Sequence, residues 1–279
     1  MIEDSYCERF LVHPDHRVRL ADRDPSYSHG HSDKHAAKKE ITRYALRLRE
    51  LQYQLYAENR RSLLIVLQGL DAGGKDGTIR HVLGYMNPQG CRVQAFKQPD
   101  PTEAAHDFLW RAHRAVPARG EVAIFNRSHY EDVLVARVHE LVPEEKWKAR
   151  YARINAFESL LVENGTHILK FFLHISPEEQ LHRFRKRLDD KTRWWKISES
   201  DYSERAYWNE YQRAYEDALN RCSTPQAPWY VIPANHKWFR NLAVSRIVVE
   251  TLEALKMSFP EPRVDIDAIR LRYHQMADE

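Results

Sequence analysis

Residues 62 to 82, SLLIVLQGLDAGGKDGTIRHV, run apolar β-formers into a glycine-dense turn and a lysine, then resume with helical spacing. A buried strand ending in such a turn brings backbone N–H groups to one point. The helix that follows adds the positive end of its dipole, so an anion binds there. Gly69, Gly74 and Lys75 satisfy GxxxxGK, the first part of the P-loop pattern, with the lysine placed to reach the outer phosphates. Four of the chain's nine glycines (Gly69, Gly73, Gly74 and Gly77) fall here, which an ordinary strand-to-helix turn does not need. Ala72 and Thr78 complete the loop's phosphate-binding candidates. Where an NTP-binding loop carries Ser or Thr to hold magnesium, this chain has Asp76, and Asp71 adds a second acid. Extra carboxylates repel bare phosphate but suit a divalent cation standing between acid and phosphate, and hard oxygen ligands favour Mg²⁺.

Further strand-like runs at Cys91 to Phe96, Glu121 to Phe125, His167 to Ile175 and Trp229 to Ile232 follow the first, at Leu63 to Gln68. Segments of helical character separate them, which predicts an α/β fold with a parallel sheet sandwiched between helices. Ile41, Ala45, Leu48, Leu51 and Leu55 predict an amphipathic helix between Asp33 and Asn59. Trp147 to Leu161 predicts a long helix whose aromatic stripe belongs to the core, and Leu242 to Leu255 a closing helix. Residues 1 to 32 are polar, with two prolines and the histidines His29 and His31, and read as an extended arm. The main body is placed at 33–260 and a tail at 261–279.

At 279 residues the chain can bury one large core. Mixed charge at 30% and a net charge of +3 describe a folded protein whose anionic partners must be met by a local basic patch. No apolar run approaches the ~20 residues that span a bilayer, and the acidic N-terminus does not look like a secretory signal. Three scattered cysteines read as free thiols, so the expected compartment is a reducing cytoplasm.

The third strand runs straight into NRSHYED, residues 126 to 132. Ligands of open α/β sheets bind outside the carboxyl ends of the strands, so Asn126 and Arg127 should emerge beside the loop. Glu131 and Asp132 follow about one turn later, where acids also serve simply to stabilise a helix start. Residues 181 to 198, LHRFRKRLDDKTRWWKIS, hold seven Lys or Arg, among them Arg183, Arg187 and Arg193, against two acids. A charge run is ordinarily a solvated face. Trp194, Trp195 and the position after the fourth strand favour a mobile helical lid that brings arginines onto phosphates, over a nucleic-acid grip. Lys97 and Arg111, in FKQPDPTEAAHDFLWR, fit acceptor binding and plain surface charge equally well.

Together, GLDAGGKDG, FKQPDPTE with DFLWR, FNRSHYEDVLVARV and RLDDKTRWWKIS resemble the family-2 polyphosphate kinases from about Asp33 to Lys256. Asn126 in NRSHYED resembles the subclass that accepts both nucleoside mono- and diphosphates. The resemblance implies a P-loop kinase three-layer sandwich similar to thymidylate kinase, Mg²⁺ dependence and inorganic polyphosphate as donor or product. It also implies adenine nucleotides, with guanine as a second base, and a dimer or tetramer. Matched residue by residue, it makes Asp71 and Lys75 the loop's acid and lysine, Asn126, Arg127, Glu131 and Asp132 the second cluster, and Arg187 the lid arginine. Asp71 and Asp132 are the expected Mg²⁺ ligands. A nucleotide's terminal phosphate is already ionised, so such a site needs positioning and charge neutralisation and no base. The alternatives are an ATP-dependent nucleoside or nucleotide kinase of the same fold and a nucleic-acid-binding module.

Overall fold

The computed structural model describes residues 5–31 and 34–277; the boundary placed at 32 and 33 lies outside them. Five parallel strands form one sheet: β1 (Ser62–Gln68), β2 (Cys91–Ala95), β3 (Val122–Asn126), β4 (Thr166–His174) and β5 (Trp229–Pro233), in spatial order β2-β3-β1-β4-β5. Every residue of β1 is buried, because it is central and both its faces are covered. Its side chains alternate between two cores: Leu63, Ile65 and Leu67 enter one, Leu64 and Val66 the other.

The first core is built by α1 (Lys34–Glu58), which contributes Leu48, Leu51 and Leu55. The second is closed by helices at Glu144–Glu163 and Trp208–Cys222, through Ile154, Phe157, Ala214 and Leu219. Numbered in chain order, α2 (Lys75–His81) follows β1, α3 is Glu144–Glu163, α4 is Pro177–Leu188 and α5 is Trp208–Cys222. The last two are α6 (Lys237–Ala254), which packs beside α1, and α7 (Ile266–Ala277), which buries none of its residues. This is the three-layer α/β sandwich with helices on both faces that the alternation predicts.

The sheet order places β1 between β3 and β4: the chain leaves β1 for the β2 edge, comes back to β3 beside β1, and then crosses to β4 and β5 on the other side. Such a switch point opens a crevice at the strands' carboxyl ends. The register Leu67↔Asn126 sets Asn126 beside the end of β1, next to the glycine turn.

The N-terminal segment is less detached than its polarity predicts. Tyr6, Phe10, Val12, Val18 and Leu20 are buried. Val12 N–H donates to Trp229 O at 2.8 Å and Leu11 bridges Tyr230 in antiparallel sense, so the segment clasps the outer edge of β5. Cys7, Cys91 and Cys222 are free. Among the described residues no helix is long and apolar enough to cross a membrane.

Candidate active site

The turn from Gly69 to Gly74 takes left-handed backbone at Ala72 (φ 60°) and Gly74 (φ 111°). A Cβ at Gly74 would also run into the Arg240 guanidinium, which would have to move aside. Lys75 opens α2 and is buried, its Nζ donating to Gly69 O at 2.6 Å and Leu70 O at 3.3 Å. Burial, and then the Arg127 charge, push its ammonium down to about 8, against the opposing pull of Asp71, Glu131 and Asp76. Thr78 is fully buried and donates to Gly74 O, so its hydroxyl ties the helix to the turn. Arg183 on α4 makes five hydrogen bonds: to Ala72 O, Gly73 O, Ala234 O, Asn235 O and Glu179 Oε1. It braces the loop from behind.

Arg127, at φ 60°, projects back toward the loop. Its Nη2 donates to Asp71 Oδ1 at 2.7 Å and its Nη1 to Glu131 Oε2 at 3.3 Å. Burial alone would weaken its charge, but Glu131 and Asp71 outweigh burial and raise its pKa. Asn126 donates to Asp76 Oδ1 at 3.0 Å, and Lys196 donates to Asp76 Oδ2 at 2.9 Å. Burial would raise the Asp76 carboxyl, yet the hydrogen bonds from Lys196 and Asn126 hold it below its ordinary value.

Asp132 is placed apart from these groups. Residues His129–Asp132 form a 3₁₀ turn, in which successive side chains point about 120° apart. Glu131 therefore reaches Arg127, while Asp132 turns toward Arg150 (3.3 Å) and Arg111 (3.8 Å). Burial lifts the Asp132 carboxyl to about 6 despite those two arginines. Asp71 and Asp132, the two expected Mg²⁺ ligands, thus hold different arginines here; Glu131 is the acid that shares Arg127 with Asp71. Arg111 also donates to Lys97 O at 2.8 Å and lies over the Phe96 ring, so it holds the β2 end and not the cavity.

A cavity of about 1100 Å³ opens over the turn. Asp71, Ala72, Gly74, Lys75, Asp76, Gly77, Lys97, Asn126, Arg127, Arg183, Arg187 and Arg193 line it, whereas Gly73, Thr78, Arg111, Glu131 and Asp132 do not. Glu131 instead lines a small adjoining cavity, shared with Asp71, Arg127, Tyr211 and Tyr215. The lid segment comprises α4 and a 3₁₀ stretch at Lys191–Lys196. Arg187 pairs with Asp201 at 2.8 Å, and Arg193 with Asp190 at 2.8 Å. The loop and lid meet through Lys196 and Asp76.

The wall facing the lid was not legible from motifs. It carries Lys34, Lys38, Arg80, Lys237 and Arg240. Only Arg240 left a trace: a single cation in the apolar stretch WFRNLAV of the closing helix. Below the site, Lys170 on β4 pairs with Glu158 on α3, which accepts from Tyr130 Oη at 2.9 Å and lies 3.3 Å from His129 Nε2. This buried network anchors the turn that carries Arg127 and Glu131.

The family model described as Polyphosphate kinase 2 (PPK2) matches residues 31–260. The AMP/ADP-polyphosphate phosphotransferase of Meiothermus ruber is 49% identical over 263 residues, 94% of this chain and 98% of that one. The ADP-polyphosphate phosphotransferase of Rhodopseudomonas palustris is 49% identical over 227 residues, 77% of this chain and 78% of that one. The crystal structure of polyphosphate kinase 2 from Arthrobacter aurescens superposes with a TM-score of 0.94 at 42% identity. That match covers 98% of this chain and 97% of the other.

Proposed function

The chain belongs to the polyphosphate kinase 2 family, and from that premise we propose that it passes a phosphoryl group reversibly between inorganic polyphosphate and AMP or ADP, giving ADP or ATP. The observation that carries this reading is the cavity's charge. Among the described residues, thirteen Lys and Arg line it against two carboxylates, Asp71 and Asp76. That excess exceeds what one nucleotide needs and suits a longer chain of phosphates. The names of the Meiothermus and Rhodopseudomonas relatives support AMP and ADP as acceptors. A Corynebacterium glutamicum relative, 33% identical and named a putative GDP-polyphosphate phosphotransferase, supports guanine as the second base.

In this reading the turn's N–H groups and Lys75 hold the transferring phosphoryl group. Arg127 and Arg187, swung from their carboxylate partners, neutralise its equatorial oxygens. Asn126 and Glu131 orient the acceptor end. No side chain abstracts a proton, because the acceptor oxygen of a nucleotide phosphate is already ionised, and in-line positioning with electrostatic stabilisation supplies the rate. The donor set fits Mg²⁺: hard oxygens of Asp71, Asp76 and Asn126 sit at the turn, and Mg²⁺ needs only one or two carboxylates beside phosphates and water. Asp71, with Asp76 or Asn126 through water, would hold the ion, and the ion would supply charge neutralisation between the two phosphates. Asp132 lies outside this donor set.

The kinase body is proposed to span 33–260, with the N-terminal segment as its clasp. The exposed apolar side chains of α7 (Ile269, Leu271, Tyr273 and Met276) support a homo-oligomer. The three free thiols support a reducing, cytoplasmic setting. Incubation with Mg²⁺, ADP and long-chain polyphosphate, with no ATP added, tests the function. ATP formation is expected. Turnover only with ATP as donor would point to an ordinary nucleotide kinase, and salt-sensitive RNA or DNA binding without turnover to a binding module.

A further inference from the structure

Arg240 sits one turn into α6 and is only 2% exposed, yet it reaches the cavity wall. Its Nε and Nη2 donate to Asn241 Oδ1 at 3.1 and 2.7 Å. Among the described residues its Nη1 has no acceptor and its guanidinium no carboxylate partner. The group is pressed against the phosphate turn: a Cβ at Gly74 would strike Nη1, and one at Gly77 would lie 2.9 Å from Nη2. Its strongest charged neighbour is another cation, Arg183, and Lys186 and Lys237 line the same cavity. Burying a charge without a counter-charge is costly, and arginine does not escape the cost by shedding its proton. A fold that keeps such a group against a phosphate turn gains from it only when an anion arrives.

We propose that Arg240 completes the phosphate cradle from the helix side. Its Nη1 donates to a phosphoryl oxygen held over the Gly74–Gly77 turn, and the ligand-free protein carries the unpaired guanidinium as a stability cost that phosphate binding removes. The proposal rests on the reading of this turn as a phosphate site and deepens it. It gives Gly74 and Gly77 a second purpose, since any side chain there would displace the guanidinium. The phosphoryl oxygen belongs either to the inorganic donor or to the nucleotide, and the chemistry of recognition is the same.

Thermal unfolding and steady-state kinetics of the full chain, wild type against Arg240→Met, decide the matter, with inorganic tripolyphosphate and ADP as separate ligands. Without ligand, Arg240→Met should unfold about 2–4 °C higher, the size of a modest stability gain in a chain of this length. It should lose about half or more of the rise that the ligand gives the wild type. Its KM should increase about tenfold or more for the substrate whose phosphate reaches this wall, polyphosphate if the donor and ADP if the acceptor. Arg240→Lys keeps the charge but not the planar fork, so it should keep the low ligand-free midpoint and show an intermediate KM. The proposal is overturned if Arg240→Met fails to fold or lowers the midpoint equally with and without tripolyphosphate. It is also overturned if both KM values stay within about twofold of wild type. Absence of wild-type turnover with polyphosphate and ADP would instead sink the polyphosphate reading, and the unfolding comparison would still stand on its own.

Discussion

Two neighbouring acids, Glu131 and Asp132, are separated by one step of a 3₁₀ turn, and that step decides what each can do. Glu131 faces Arg127, whose charge it helps to hold, while Asp132 is enclosed by Arg150 and Arg111. Glu131→Gln is therefore expected to lower kcat by about 10–100-fold, because it unsettles a guanidinium aimed at the transferring group. Asp132→Asn should stay within about tenfold of wild type; kinetics of the two purified variants check the contrast. Lys75 adds a pH limb. Its pKa, held down to about 8 by burial and then by Arg127, means that the free enzyme loses this charge as pH rises through about 8. Below that pH the ammonium is present and binds phosphate; above it kcat/KM should fall, approaching tenfold per pH unit. A profile flat to pH 10 would contradict the assignment. At this scale the loop residues were legible because GxxxxGK states its own geometry. The opposite directions of Glu131 and Asp132 were not, because α-helical and 3₁₀ spacing look alike over four residues. Arg240 was hidden among apolar neighbours whose burial says nothing about a cavity.

Secondary elements place these groups with little freedom. β1 and β3 end side by side, so the turn at Gly69 and the turn at Arg127 meet without any long-range adjustment. The second turn is held from below by the buried Lys170–Glu158 pair, with Tyr130 and His129 on the same carboxylate. Glu158→Gln would leave the Lys170 ammonium buried without its counter-charge. A loss of about 3–5 kcal/mol in denaturant unfolding is expected, and a change under about 1 kcal/mol would show that the network does not anchor the turn. The five strands agree with the sequence reading to within one residue at either end, since apolar runs bounded by glycine, proline and asparagine leave little choice of register. The lid was legible as a cationic segment. Its contact with the loop through Lys196 and Asp76 was not, because it joins residues 120 positions apart.

As a whole molecule, the chain gathers one cationic surface from α1, the phosphate turn with α2, the ends of β2 and β3, the lid and α6. The N-terminal segment escaped the sequence reading because its buried residues, Tyr6, Phe10, Val12, Val18 and Leu20, fall as isolated pairs on a five-residue helix and irregular chain, too short a run for any periodicity to register. The β5 edge, the Phe239 ring of α6, and Glu216 and Asn220 of α5 together explain them. Family membership and the cavity's charge converge on transfer between phosphate chains, in which neutralisation of charge carries the rate. The most direct test of that claim is kcat for Lys75→Ala at saturating polyphosphate, ADP and Mg²⁺. A fall of about 10²–10⁴-fold is predicted for loss of a cation that contacts the transferring group. Turnover close to wild type would contradict it.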